Sequence, residues 1–316
     1  MAVIKRILLA TDFSSCARLA EDYAWWLAAK LGARIDVLHV IEFMPGLDPQ
    51  YAVNQLYLAD LRNDAQREFA RMERSAAEVG LQITTRHTLG VPSQEVTAAA
   101  VEYGSDLIIL GTHGRTGLEH ILLGSTAERV VRTAPCPVWC IRGPRRGGAT
   151  SEPIREIRHI LVPMDFSDCA LAALDAAVEL ATSLNASVTL VHIVEPVGYG
   201  LDFTLSHASQ GATLREPIER RLRELAATPS GGRAIDRLIR SGLPADAILA
   251  TARTVQADLI VMGTHGRRGI SHLVSGSVAE AVLRKSECPV LTVKYTPKEK
   301  VDGQGTRSAA TETAHR

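Results

Sequence analysis

The spacing Gly-x2-Gly-x9-Gly-Ser occurs twice, as Gly111, Gly114, Gly124, Ser125 and as Gly263, Gly266, Gly276, Ser277. The copies lie 152 residues apart, and nine of the fifteen positions in 111–125 and 263–277 are identical. Each follows an apolar run, Asp106-Leu-Ile-Ile-Leu110 or Asp258-Leu-Ile-Val-Met262. Each precedes a helical pattern, Ser125-Thr-Ala-Glu-Arg-Val-Val-Arg132 or Ser277-Val-Ala-Glu-Ala-Val-Leu-Arg284. A strand, a Gly-rich loop and a helix start in that order suit an anion. Glycine lets the backbone approach closely, and the first helical N–H groups face outward without partners.

The repeat extends beyond the loop. Arg6-Ile-Leu-Leu-Ala-Thr-Asp-Phe-Ser14 matches His159-Ile-Leu-Val-Pro-Met-Asp-Phe-Ser167. Val37-Leu-His-Val-Ile41 matches Leu190-Val-His-Ile-Val194, and Cys136-Pro-Val138 matches Cys288-Pro-Val290. The 316-residue chain is therefore read as two domains, 1–142 and 156–296. They are joined by a polar linker, 143–155, and followed by a tail, 297–316, that lacks the apolar residues to fold. In the first copy, strands are expected at Arg6–Ala10, Arg34–Ile41, 82–88, 106–110 and Val138–Ile141. Helices are expected at Ser15–Leu31, 54–79 and 92–103, and after the glycine loop. Pro217 is expected to interrupt the second copy's long helix or to sit in its first turn. Continuous apolar strands alternating with helices predict an α/β fold with a parallel sheet covered on both faces.

Lys+Arg and Asp+Glu each number 35, so the formal charge is zero and gives no case for a global nucleic-acid binder. No apolar run is long enough to span a membrane, and Met1-Ala-Val-Ile-Lys-Arg leads straight into a strand rather than a signal peptide. The five cysteines lack metal-ligand pairing and read as small hydrophobes in a reducing cytoplasm.

Asp12 and Asp165 end the first strand of each copy. A carboxylate there suits a ribose hydroxyl, a base amino group or a bound Mg²⁺, or else caps the next helix in competition with Ser14 and Ser167. Ser125-x-x-Glu128 and Ser277-x-x-Glu280 have the form of capping boxes. Arg115 and Arg267, with Arg268, either neutralise phosphate or form a solvated loop face. His113 and His265 have no partner at a spacing that suggests catalysis, and His39 and His192 read as hydrogen-bonded strand residues.

Together the doubled glycine loop, the early Asp-Phe-Ser and the terminal Cys-Pro-Val resemble the ATP-binding branch of the universal stress protein family. The resemblance covers nearly all of 3–142 and 156–295. It implies two Rossmann-like domains, each a five-stranded parallel sheet of order 3-2-1-4-5, with ATP or ADP across the ends of strands 1 and 4. It implies that Asp12 and Asp165 touch the adenosine and that the Val40 and Ile193 backbones meet adenine. The glycines, Ser125 with Thr126, and Ser277 with Val278 would hold ribose and phosphates, with Mg²⁺ accompanying the nucleotide. The function implied is a nucleotide-dependent regulator in stress response. The alternative is a slow Mg-dependent ATP hydrolase, although Gly-x4-Gly-Lys-Ser/Thr is absent. The family also pairs domains through the last strand. Here the pair would form within the chain, Val138–Ile141 against Val290–Val293, burying Trp139 near the join. Homodimerisation of the whole chain is left open.

Overall fold

The computed structural model describes residues 4–42, 51–113, 123–142, 154–195, 207–227, 234–264 and 276–295. The first copy reads β1 (Arg6–Thr11), α1 (Ser15–Leu31), β2 (Arg34–Ile41), α2 (Ala52–Glu78), β3 (Ile83–Leu89), α3 (Pro92–Tyr103), β4 (Leu107–Gly111), α4 (Ser125–Thr133), β5 (Val138–Ile141). The second repeats it as β6 (His159–Pro163), α5 (Asp168–Leu184), β7 (Ser187–Val194), α6 (His207–Ala227), β8 (Ile235–Ser241), α7 (Pro244–Thr254), β9 (Leu259–Gly263), α8 (Ser277–Lys285), β10 (Val290–Val293). Pro217 is a correction to the sequence reading. Helix α6 runs straight through it. Pro217 is exposed, so its ring lies toward solvent and the loss is confined to one helical N–H bond.

Among the described residues, ten strands form one sheet, ordered β3-β2-β1-β4-β5-β10-β9-β6-β7-β8. Within each half the order is the expected 3-2-1-4-5 and every pairing is parallel. The exception joins the halves: β5 and β10 pair antiparallel, with Cys140 opposite Val290, Trp139 opposite Leu291 and Val138 opposite Thr292.

Strand 1 is set against strand 4 by one carboxylate in each half. Asp106 Oδ2 accepts the amides of Lys5 (2.8 Å) and Arg6 (3.0 Å). Asp258 Oδ2 accepts those of Arg158 and His159, both at 3.0 Å. Holding the starts of the two strands level also fixes where their far ends fall.

Alternate strand residues face opposite sides, and both sides are buried. On one side Ile7, Leu9 and Trp139 pack with α1, α2, α5 and α6. On the other Leu8, Ile108 and Cys140 pack with α3, α4, α7 and α8. Both cores cross the β5–β10 join without interruption, since each contains residues of both halves. Trp139 is fully buried there, its ring centroid 5.9 Å from that of Tyr23. Burial pushes the Tyr23 phenol up to about 12.

Trp139→Ala is expected to cost about 3–5 kcal/mol, the usual range for emptying a large aromatic site. Equilibrium urea unfolding with matched m-values measures it.

Candidate nucleotide crevice at the ends of strands 1 and 4

Helices α1 and α2 cover one face of the sheet and α3 and α4 the other, so the winding reverses between β1 and β4. Open α/β sheets hold ligands in the crevice beyond the strand ends at such a switch point. The ladder between them runs from Ile7↔Leu107 to Ala10↔Leu110, leaving Asp12 and Thr112 just past it on facing walls.

A short hydrogen-bonded path joins those walls. The Asp12 carboxylate accepts the Ser14 amide at 3.1 Å. Ser14 Oγ donates to the His113 carbonyl at 3.4 Å and accepts the Ala17 amide at 3.2 Å. Ser14 is thus the cap of α1, and Asp12 is not. The Thr112 amide donates to Ile141 O (2.8 Å), and the Thr112 carbonyl accepts the Gly124 amide (2.8 Å). That last bond closes the mouth of the glycine loop, so that Ser125 starts α4 beside the β4 end.

The second copy repeats the carboxylate turn, the serine cap and the loop-mouth bond, but its serine hydroxyl donates to the carboxylate rather than across the crevice. Asp165 Oδ1 accepts Ser167 N (3.0 Å) and Oγ (2.6 Å), Ser167 caps α5, and the Gly276 amide donates to Thr264 O at 2.7 Å.

The capping boxes expected at Ser125 and Ser277 do not form. The caps are Gly124 and Gly276, and neither helix has a side-chain cap bond. Because each glycine amide is already committed to the threonine carbonyl, the helix begins one residue earlier than the motif predicts. The serines take the first helical position, exposed and without a hydrogen-bond partner among the described residues. Thr126 is exposed and Val278 half-buried in the same first turns.

Gly111 and Gly263 serve packing. A Cβ on Gly111 would lie 3.0 Å from Cys16 Sγ and 3.1 Å from Ala17 N. On Gly263 it would lie 2.7–2.9 Å from Cys169 atoms, two of them backbone. Close approach of α1, or of α5 in the second half, to the strand 4 end demands glycine there. At Gly124, a Cβ would meet Thr112 O at 2.9 Å.

The residues that turn the chain out of strand 1 belong to the repeated Asp-Phe-Ser, but nothing in that motif shows the backbone conformation they adopt. Phe13 and Phe166 adopt positive φ, 63° and 64°, which bulky side chains rarely do. Each ring lies on the histidine of the neighbouring strand, Phe13 on His39 (4.4 Å) and Phe166 on His192 (5.0 Å). His39 Nδ1 pairs with Thr11 O (2.8 Å) and His192 Nδ1 with Met164 O (2.7 Å), so both histidines are structural, as expected. Strand 1 stops pairing with strand 2 at Thr11↔His39, because the Phe13 amide turns back to Thr11 Oγ1 (3.0 Å). The Val40 backbone lies past that ladder, as does Ile193 past the last pair, Pro163↔Val191. Gly114, Arg115, His265, Gly266, Arg267 and Arg268 lie outside the described residues.

One difference between the crevices lies at the end of strand 1. The His159 carbonyl faces β9, where it accepts the Asp258 amide, so by alternation Pro163 faces β9 too and has no N–H to give. The β6–β9 ladder ends at Leu161↔Ile260, whereas β1–β4 continues to Ala10↔Leu110.

The sequence profile of the universal stress protein family matches residues 4–142 and again 156–294. The chain belongs to that family. A universal stress protein of Synechocystis sp. is 29% identical over 315 residues, covering 92% of this chain and 100% of that protein. Another, from Methanocaldococcus jannaschii, is 35% identical over 144 residues, 45% of this chain and 84% of its own length. Among solved structures, a universal stress protein from Archaeoglobus fulgidus aligns with a TM-score of 0.65 at 24% identity, covering 92% of this chain and 96% of that one. That likeness shows the fold.

Burial pushes the Cys136 and Cys140 thiols up to about 12, and the Cys288 thiol upward. All five cysteines are unbridged. These three universal stress protein thiols are therefore expected to react with a disulfide reagent at pH 8 only after denaturation, as read by thiol titration with and without urea. Gly263→Ala is expected to destabilise more than Gly111→Ala, with each costing about 1–3 kcal/mol as overpacking does. Urea unfolding of the two variants measures both the size and the order.

Proposed function

We propose that this universal stress protein binds one adenine nucleotide, ATP or ADP, in each crevice and acts as a nucleotide-dependent regulator in stress response. The observation that carries this reading is that Ser125 and Ser277 have no hydrogen-bond partner among the described residues. Each hydroxyl stands at a helix start, released from capping, across the crevice from Asp12 or Asp165. A helix N-terminus with an available hydroxyl favours phosphate, and a carboxylate on the opposite wall favours ribose or base donors over phosphate.

In this reading the Val40 and Ile193 backbones meet adenine, and Gly111, Gly124, Gly263 and Gly276 shape the loop mouths. Thr126 and Val278 add backbone amides beside the serines, while Gly114, Arg115, Gly266 and Arg267 serve the phosphates. The functional units are 1–142 and 156–296, with 143–155 as linker and 297–316 as tail.

Among the described residues, no three His, Cys, Asp or Glu side chains stand together to hold a metal ion. A Mg²⁺ that accompanies the nucleotide takes its ligands chiefly from phosphate oxygens and water. No helix among the described residues is long and apolar enough to cross a membrane. The unbridged cysteines fit a reducing compartment, and we place the protein in the cytoplasm.

Purified chain should carry or take up two adenine nucleotides, identified by mass spectrometry after denaturation and counted by calorimetry. Asp12→Ala and Asp165→Ala should each leave one site at its original affinity. Two full sites in the double variant, or none in the unmodified chain, would overturn the reading. Because the sequence carries no recognisable catalytic set beside the glycine loops, ATP turnover should fall well below the enzyme median of ~10 s⁻¹. Steady-state phosphate release under saturating Mg-ATP tests this.

A further inference from the structure

The two helices that head the crevices end at the join between the halves, and each is finished by a cation from the other half. Arg142 follows β5, and its Nη1 donates to the carbonyls of Arg284 (2.6 Å) and Ser286 (3.3 Å) at the end of α8. Lys294 follows β10, and its Nζ donates to the carbonyls of Arg132 (2.6 Å) and Ala134 (2.8 Å) at the end of α4. The two donors occupy equivalent positions of the repeat, and so do their acceptors, 152 residues apart in every case. The bonds are reciprocal about the β5–β10 pairing. Both cations are half-buried, and Arg284 Nη2 approaches Glu128 Oε2 at 3.9 Å to tie the helices directly.

Helices α4 and α8 are nine residues long. A helix that short is marginal by itself, and its last carbonyls lack helical donors. A cation on those carbonyls stabilises the whole short helix and complements the negative end of its dipole. The opposite end of the same helix carries Ser125 or Ser277. The N–H groups offered to a phosphate are thus held in place by a side chain from the other copy.

We propose that Arg142 and Lys294 are positioning residues for nucleotide binding, each acting on the crevice of the opposite half. This rests on the nucleotide reading above. Lys294 serves the crevice of Asp12 and Ser125, and Arg142 serves that of Asp165 and Ser277. A half separated from its neighbour has a crevice whose lead helix lacks its terminal cap.

The test exploits the crossing. In an Asp165→Ala chain, which keeps only the first crevice, Lys294→Met is expected to weaken ATP binding roughly three- to tenfold by calorimetry, the scale of charge at a helix end. Lys294→Arg should restore it. In an Asp12→Ala chain, which keeps only the second, Lys294→Met should change nothing and Arg142→Met should weaken binding to the same degree. A merely local role predicts the reverse, since Arg142 adjoins Ile141, whose carbonyl holds Thr112 of its own crevice. That reversed pattern, or unmoved affinities in all variants, overturns the proposal while leaving the nucleotide reading intact. No ATP binding by the unmodified chain sinks both. Hydrogen exchange of the ligand-free chain supplies a readout independent of ATP. Lys294→Met should speed exchange in 125–134 and spare 277–286, and equal protection in 125–134 would count against the cap.

Discussion

Antiparallel pairing of Val138–Ile141 with Val290–Val293 is the contact on which the rest of the architecture hangs. A four-residue apolar strand at a sheet edge offers unpaired backbone groups and apolar faces to any passing chain. Joined to its repeat, each strand becomes interior, with a parallel neighbour on one side and an antiparallel one on the other. The same pairing merges the cores on both faces and buries Trp139 completely. It also brings the C-terminal ends of α4 and α8 to the join while their N-terminal ends stay at the crevices. A duplicated chain carries both strands itself, at a high effective concentration, so the pairing requires no second molecule.

At each switch point three constraints act together. A carboxylate at the foot of strand 4 fixes the level of strand 1. A phenylalanine at positive φ turns the chain out of that strand, a conformation that costs on the order of 1–3 kcal/mol for a residue other than glycine. Its ring is held by packing on a histidine that itself holds the last carbonyl of the strand. A glycine at the end of strand 4 then admits the following helix at backbone contact distance. Both copies retain all three. Strain kept twice at the ends of the same two strands fits a crevice whose shape matters more than its local stability.

Much of this was legible in the sequence because it depended on local chemistry. Ser14 and Gly32 bracket α1, Pro92 and Gly104 bracket α3, and unbroken apolar runs mark the buried strands. The capping boxes misled because a nonlocal bond decided them: the Thr112 carbonyl claims the Gly124 amide, and sequence spacing does not show where that carbonyl points. The glycines of strand 4 were legible as positions of close approach, but the approaching partner turned out to be helix α1 or α5. The crossed caps left no motif, since arginine stands at one position and lysine at its equivalent. Only superposing the repeats and then pairing the strands shows that both reach the same kind of helix end.

The copies are symmetric in plan and unequal in detail, and the inequality sits where a ligand would sense it. Pro163 withholds from β9 the amide that an ordinary residue would offer, so the second ladder parts two rungs below the crevice mouth rather than just beneath it. Above strand 1 the first copy stacks aromatic on aromatic, the Phe69 edge against Phe13 at 5.7 Å. The second places the Arg221 guanidinium 4.7 Å from the centre of the Phe166 ring. An edge-on ring holds its neighbour by packing alone, whereas a guanidinium adds a charge beside the turn that carries Asp165. Once a chain contains both halves of its own interface, the outer walls of the two crevices can diverge without disturbing the strands that join them. The substitutions follow that division: the wall residues differ between the halves, while strand 5 stays buried in both and the strand 4 glycine and the Asp-Phe-Ser turn are identical.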